Sequence, residues 1–128
     1  MSFEFPVRVY IEDTDLGGIV YYVNYLKFME RARTEFLRSY AIEQESLQAQ
    51  GYLFVVKSVQ CEYRASAKLD DALIVITQVV KHSAASVTFK QQVCHQQNVL
   101  CEATVEVVCV NKQSMKPARF PAQIKQIF

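Results

Sequence analysis

Glu12, Asp13 and Asp15 place three carboxylates within four positions, and Gly17 and Gly18 follow at once. Behind them runs Ile19-Val20-Tyr21-Tyr22-Val23-Asn24-Tyr25, an apolar and aromatic stretch leading into a segment of helical period. A helix start carries unpaired N–H groups and partial positive charge, which can hold an anion or polarise a carbonyl that is becoming an oxyanion. A carboxylate on the other side of that carbonyl supplies a base or a nucleophile. Two adjacent glycines allow positive φ and close approach of the backbone to another group. The same residues also suit a plainer role, because an Asp before a helix is commonly a cap or turn residue. Residue pattern leaves both readings open. Asn24 has the side chain of an N-cap.

Other chemistries lack their residues. Cys61, Cys94, Cys101 and Cys109 form no CxxC pair, and His82 and His95 are the only histidines, so zinc spacing is absent and no metal site is expected. Three of the cysteines lie inside apolar or alternating runs and read as small hydrophobes in a reducing compartment. No GxSxG elbow surrounds Ser39, Ser46, Ser58 or Ser83, and no glycine loop is built to cradle phosphate. A net charge of +1 gives no pull toward nucleic acid. The opening MSFEFPVRVYIEDTD has neither the basic nor the continuous apolar region of a signal peptide, and no apolar run approaches the ~18 residues that span a bilayer. The expected location is the cytoplasm. A length of 128 residues fits one domain, residues 1–128.

The elements that must position the acidic loop follow from periodicity. Phe5 to Asp13 alternates and reads as a half-buried strand. From about Tyr22 the period changes, and Leu26, Met29, Phe36 and Tyr40 share a helical face, widened by Tyr25, Ala32 and Leu37. Arg33 falls inside that apolar stripe and needs a partner; Glu30, three residues earlier, is within reach. Glu43 to Gln50 reads as a short second helix. Leu53–Ala65, Ala72–His82, Ser86–Cys94 and Val99–Val110 read as strands, with Gln91 the polar exception on the apolar side of its strand. The tail from Asn111 reads as irregular. One long helix and a curved five-stranded sheet, mainly an antiparallel meander, make an α+β fold. Such a sheet keeps an exposed edge and part of its apolar face uncovered, so a homo-oligomer with its cleft at a subunit boundary is expected.

The string Val9-x3-Asp13-Thr14-Asp15-x-Gly17-Gly18-Ile19-Val20-Tyr21-x-x-Asn24-Tyr25, continuing into FMERARTEFL, resembles the hotdog-fold acyl-CoA thioesterases of the 4-hydroxybenzoyl-CoA thioesterase type. Within them it is most similar to the YbgC branch, associated with the bacterial Tol–Pal system. Glu62-Tyr63, Leu69-Asp70-Asp71, Val107-Val108-Cys109-Val110 and Met115-Lys116-Pro117 extend the likeness over nearly the whole chain. The resemblance implies a hotdog fold and hydrolysis of acyl-CoA, with short acyl chains the nearest substrate class. It assigns the carboxylate to Asp15 and the oxyanion donor to the backbone N–H near Tyr22, and it implies no cofactor beyond the CoA of the substrate. It implies a dimer or a dimer of dimers, with peripheral association with envelope or lipid-synthesis proteins as a further possibility. Many relatives carry His where this chain has Tyr22, so an imidazole role is lost while the backbone role survives. Some relatives hold CoA phosphates with basic residues where this chain has His82-Ser83-Ala84-Ala85 beside Lys81. Lys116 and Arg119 are the candidate replacements, with Lys57 and Lys90 weaker ones. Tyr21, Tyr22 and Tyr25 are candidates to line an acyl pocket. Two other functions stay open: a hydratase or dehydratase on the same fold, which normally wants a His beside the acid, and a non-catalytic acyl-CoA-binding or scaffold protein of an envelope or lipid complex.

Overall fold

The computed structural model describes residues 2–128. Strands β1 (Ser2–Arg8), β2 (Tyr52–Tyr63), β3 (Ala72–His82), β4 (Ser86–His95) and β5 (Asn98–Asn111) form one antiparallel sheet in the order β1-β3-β4-β5-β2. Helix α1 (Asn24–Arg38) packs on it, with the short helices α2 (Gln44–Ala49) and α3 (Ala122–Lys125) after it in the chain. A curved antiparallel sheet around one long helix is the hotdog arrangement that the resemblance implies.

Helix α1 contains no Gly or Pro, and it buries Tyr25, Phe28, Met29, Ala32, Phe36 and Leu37 on one stripe. They meet the inward residues of the sheet, among them Val75, Phe89, Val93 and Val105. Complete burial of a side chain such as Phe28 stabilises the fold by about 2–3 kcal/mol.

The structure corrects four details of the sequence reading. First, β1 ends at Arg8, and Ile11–Asp13 is a single 3₁₀ turn rather than strand. The Asp13 carboxylate accepts the Tyr10 N–H at 2.8 Å and bends the chain there, which leaves Ile11 exposed despite the alternation. Second, the strands after α2 are not a simple meander. β3, β4 and β5 are, but β2 pairs with β5 at the far edge. The link 64–71 is longer than a tight hairpin needs. Its eight residues can reach over the ~14 Å between strands three places apart. Third, the tail is not wholly irregular: α3 buries Ile124, and Phe120 and Phe128 stack edge to face at 5.3 Å against the sheet. Its route is fixed by Ala118 N–H to Cys109 O and Phe120 N–H to Ala84 O.

The fourth correction concerns Arg33. Glu30 favours the Arg33 charge but makes no hydrogen bond to it among the described residues; its carboxylate accepts from the Thr34 hydroxyl. Arg33 donates instead to Gln91 Oε1 at 2.9 Å. Gln91 is completely buried and donates through Nε2 to Met29 O and Thr77 Oγ1, each at 2.9 Å. Burial pushes the Arg33 pKa below its ordinary value, and the Glu30 charge opposes this. Gln91→Leu keeps the volume but removes the acceptor of a desolvated guanidinium and the donor to Thr77. We expect it to lower unfolding stability by about 3 kcal/mol in urea denaturation. A loss well below about 1 kcal/mol would show that the guanidinium is satisfied elsewhere.

Candidate active site

The acidic stretch folds into a pinched loop. Thr14 pairs with Val20, the Asp15 N–H donates to Ile19 O at 2.9 Å, and the Gly18 N–H donates to Asp15 O at 3.1 Å. Leu16, Gly17 and Gly18 form the tip, and Gly18 takes φ +79°, which a side chain would strain. The Gly17 N–H donates to Asp15 Oδ1 at 2.8 Å. A Cβ on residue 17 would sit 3.2 Å from that oxygen, so glycine there lets the carboxylate fold back onto the loop. Asp15 is exposed in the single chain. Among the described residues, its Oδ2 has no protein partner.

The other arm of the loop leads into α1. Asp13, buried, offers its carbonyl to two donors: the Tyr21 N–H at 3.0 Å and Asn24 Nδ2 at 2.9 Å. Asn24 is therefore not the N-cap but the first helical residue, and its side chain reaches back to tie the helix to the loop. The N–H groups of Asn24, Tyr25 and Leu26 donate to Tyr21, Tyr22 and Val23 carbonyls. Those of Tyr22 and Val23 donate to no acceptor among the described residues. Loop and helix start thus supply a carboxylate and unused amide hydrogens from one short segment.

An aromatic wall stands beside them. Tyr22 meets Tyr21 at 5.1 Å and Tyr63 at 5.7 Å between ring centroids, and Tyr63 meets Tyr25 at 5.7 Å. Tyr63, at the end of β2, had no role assigned from sequence apart from its place in the family string. Burial and a hydrogen bond with the Cys61 thiol push its pKa up, so it stays protonated and cannot act as a base near neutrality. Cys61 Sγ lies 3.2 Å from Cys101 Sγ, and burial likewise raises the Cys101 thiol. Tyr25 is buried, and its hydroxyl accepts the Ala67 N–H at 2.9 Å. It anchors the 64–71 link, which leaves its ring, not its hydroxyl, as the part turned to Tyr63.

The candidate cations divide. Lys116 and Arg119 are exposed near the Asn111 end of β5. The loop lies near the other end, where Tyr63 pairs with Cys101 and Arg64 N–H donates to Leu100 O. Ten residues of strand, about 34 Å, separate Cys101 from Asn111, so one chain does not bring Lys116 or Arg119 to Asp15. Lys68 comes to the loop through its backbone, which bridges to Ile19. No spacing in the sequence marks it, because it arrives only through the 64–71 link. Among the described residues, no group of three or more His, Cys, Asp or Glu side chains is placed to hold a metal ion.

Known proteins share both sequence and architecture. The family profile of the thioesterase-like superfamily matches residues 9–128. The chain is 47% identical to the acyl-CoA thioesterase YbgC of Haemophilus influenzae, over 99% of this chain and 94% of that protein. It is 46% identical to the acyl-CoA thioester hydrolase YbgC of Escherichia coli O157:H7, over 95% and 92% respectively. The crystal structure of a probable thioesterase from Bartonella henselae superposes with a TM-score of 0.89 at 33% identity, covering 94% of this chain and all of that one. With a pinched acidic loop feeding the start of one long helix, and with relatives this similar along nearly its full length, the chain belongs to the thioesterase-like superfamily, alongside the YbgC proteins.

Proposed function

We propose that this protein hydrolyses acyl-CoA thioesters, with water cleaving the C–S bond to release the CoA thiol and a carboxylic acid. The observation that carries the reading is the junction itself: Asp15 and the unused Tyr22 and Val23 amides come from one loop tied to one helix start. Asp15 either attacks the thioester carbon or activates water, and both routes need its ionised form. The Tyr22 N–H, with Val23 beside it, stabilises the oxyanion of the tetrahedral intermediate by about 3 kcal/mol per donor. The tyrosine wall forms one apolar side of the site. Tyr25 acts through ring contact. The reading calls for no resident cofactor, for short acyl chains first, and for the cytoplasm, where four free thiols stay reduced. No helix among the described residues is long and apolar enough to cross a membrane. A hydratase role fits less well, because no histidine lies between Asp13 and Tyr25.

The working unit in this reading is an oligomer built on β2. Pro6 blunts the β1 edge, whereas β2 exposes Val56, Val59 and Tyr63. Antiparallel pairing of two β2 strands sets the Tyr63 end of one chain against the Tyr52 end of the other. That arrangement covers Asp15 and carries Lys116 and Arg119 of one chain toward the acidic loop of its neighbour, where CoA phosphates can be held.

Asp15→Asn should cut thiol release from butyryl-CoA by about 10³-fold or more with an unchanged circular dichroism spectrum. Retention of activity would remove Asp15 from the reaction. Gly17→Ala should displace the Asp15 carboxylate and lower kcat about tenfold while the melting temperature moves little. The double variant Val56→Lys/Val59→Lys should sediment as a monomer and lose turnover. A fully active monomer would show that the site needs no second chain.

A further inference from the structure

Away from the acidic loop, a cavity of about 160 Å³ lies between α1 and the sheet. Its walls are Leu37, Phe54, Val87, Phe89 and Val107, and the Phe128 ring closes one side. Arg33 lies nine residues along α1 from Asn24, about 14 Å, and its side chain lines this apolar space together with Glu30 and Gln44. The guanidinium is largely desolvated but makes no ion pair among the described residues. Among the described residues its one hydrogen bond goes to the neutral Gln91 amide, which leaves most of its five donors for something else. The nearby Glu30 charge favours the ionised guanidinium without forming an ion pair with it, and spare donors bordering an apolar cavity are costly unless an anion completes them.

We propose that this cavity binds a small apolar carboxylate, whose tail fills the space under α1 and whose head pairs with Arg33. Guanidinium and carboxylate match in a two-bond fork, which distinguishes this head group from an alcohol or an amine. Size sets the tail: an apolar cavity of about 150 Å³ holds a benzene-sized body, so about six carbons fit. Glu30, exposed at the rim, is the one acid lining the cavity, and its charge opposes the incoming anion. The binding argument uses none of the Asp15 chemistry. The carboxylic acid released by thioester hydrolysis is one member of the ligand class, so the site would sense product.

Titration calorimetry of the full chain with hexanoate tests the proposal, with 1-hexanol and hexylamine as controls of equal carbon number. Saturable hexanoate binding, roughly millimolar for so small a ligand, should exceed that of either control by about tenfold. Arg33→Gln should weaken hexanoate by about tenfold or more and leave hexanol unchanged. Glu30→Gln should tighten hexanoate, because it removes the opposing charge. Equal binding of hexanoate and hexanol, or undiminished hexanoate binding by folded Arg33→Gln, overturns the proposal. So does the absence of saturation by about 10 mM. If Arg33→Gln does not fold, Gln44→Trp, which blocks the cavity from its rim, should abolish the binding, and unaltered binding there is equally decisive against it.

Discussion

A helix can offer amide hydrogens to a reacting carbonyl only if its first turn is fixed without spending them. Here that constraint is met by one carbonyl. Asp13 O takes the Tyr21 N–H and the Asn24 side-chain amide, so loop and helix are locked by donors that lie outside the proposed reactive set. A conventional N-cap would have bonded an N–H two or three residues into the helix. Asn24 instead reaches backwards, and the Tyr22 and Val23 amides remain unspent. The same fold of the loop turns the Asp15 carboxylate onto the Gly17 N–H and limits its freedom before any substrate arrives. Preorganisation of this kind lowers the reorganisation needed when charge develops.

That lock holds the proposed machinery in place but does not enclose it. Asp15, Leu16, Tyr21, Tyr22 and Tyr63 are exposed in one chain, and the β2 edge beside them is unpaired. A carboxylate in open water has its negative charge well solvated and is a weak base or nucleophile. Exclusion of water is therefore a task that the proposed oligomer would take up. The exposed apolar edge and the incomplete site coincide, and one act of pairing would answer both.

Arg33 and Gln91 break the hydrophobic pattern where α1 meets the sheet, and each gives the other a hydrogen-bond partner. Arg33 sits on the apolar stripe of α1 and Gln91 on the apolar face of β4, in positions where either alone would be costly. Together they cross the helix–sheet interface and fix the rotation of α1 against the sheet, with Thr77 and the Met29 carbonyl completing the set. The rotation of α1 in turn sets where Tyr22 and Tyr25 meet Tyr63. A polar contact some distance along the helix thus bears on the geometry of its first turn.

The sequence by itself determined what depends on near neighbours. The acid–glycine loop, the 3.6-residue stripe of α1, the alternation in β3, β4 and β5 and the stop at Gly51 are all local, and the family string at Asp13–Tyr25 is contiguous. Local rules failed where a side chain captured a backbone group that periodicity does not show, or answered to a distant strand. Alternation carried β1 too far because the Asp13 carboxylate captured the Tyr10 N–H. Glu30 looked like the partner of Arg33 because helix spacing shows neighbours on the same helix and cannot show Gln91, 58 residues away. Only the tertiary structure decided that β2 crosses to the far edge, that the link 64–71 carries Lys68 to the acidic loop, and that Lys116 and Arg119 end at the opposite end of the sheet. Strand order is a question of which long loops close, and the free energy of closure is shared among contacts remote in sequence, so no single stretch of residues encodes it.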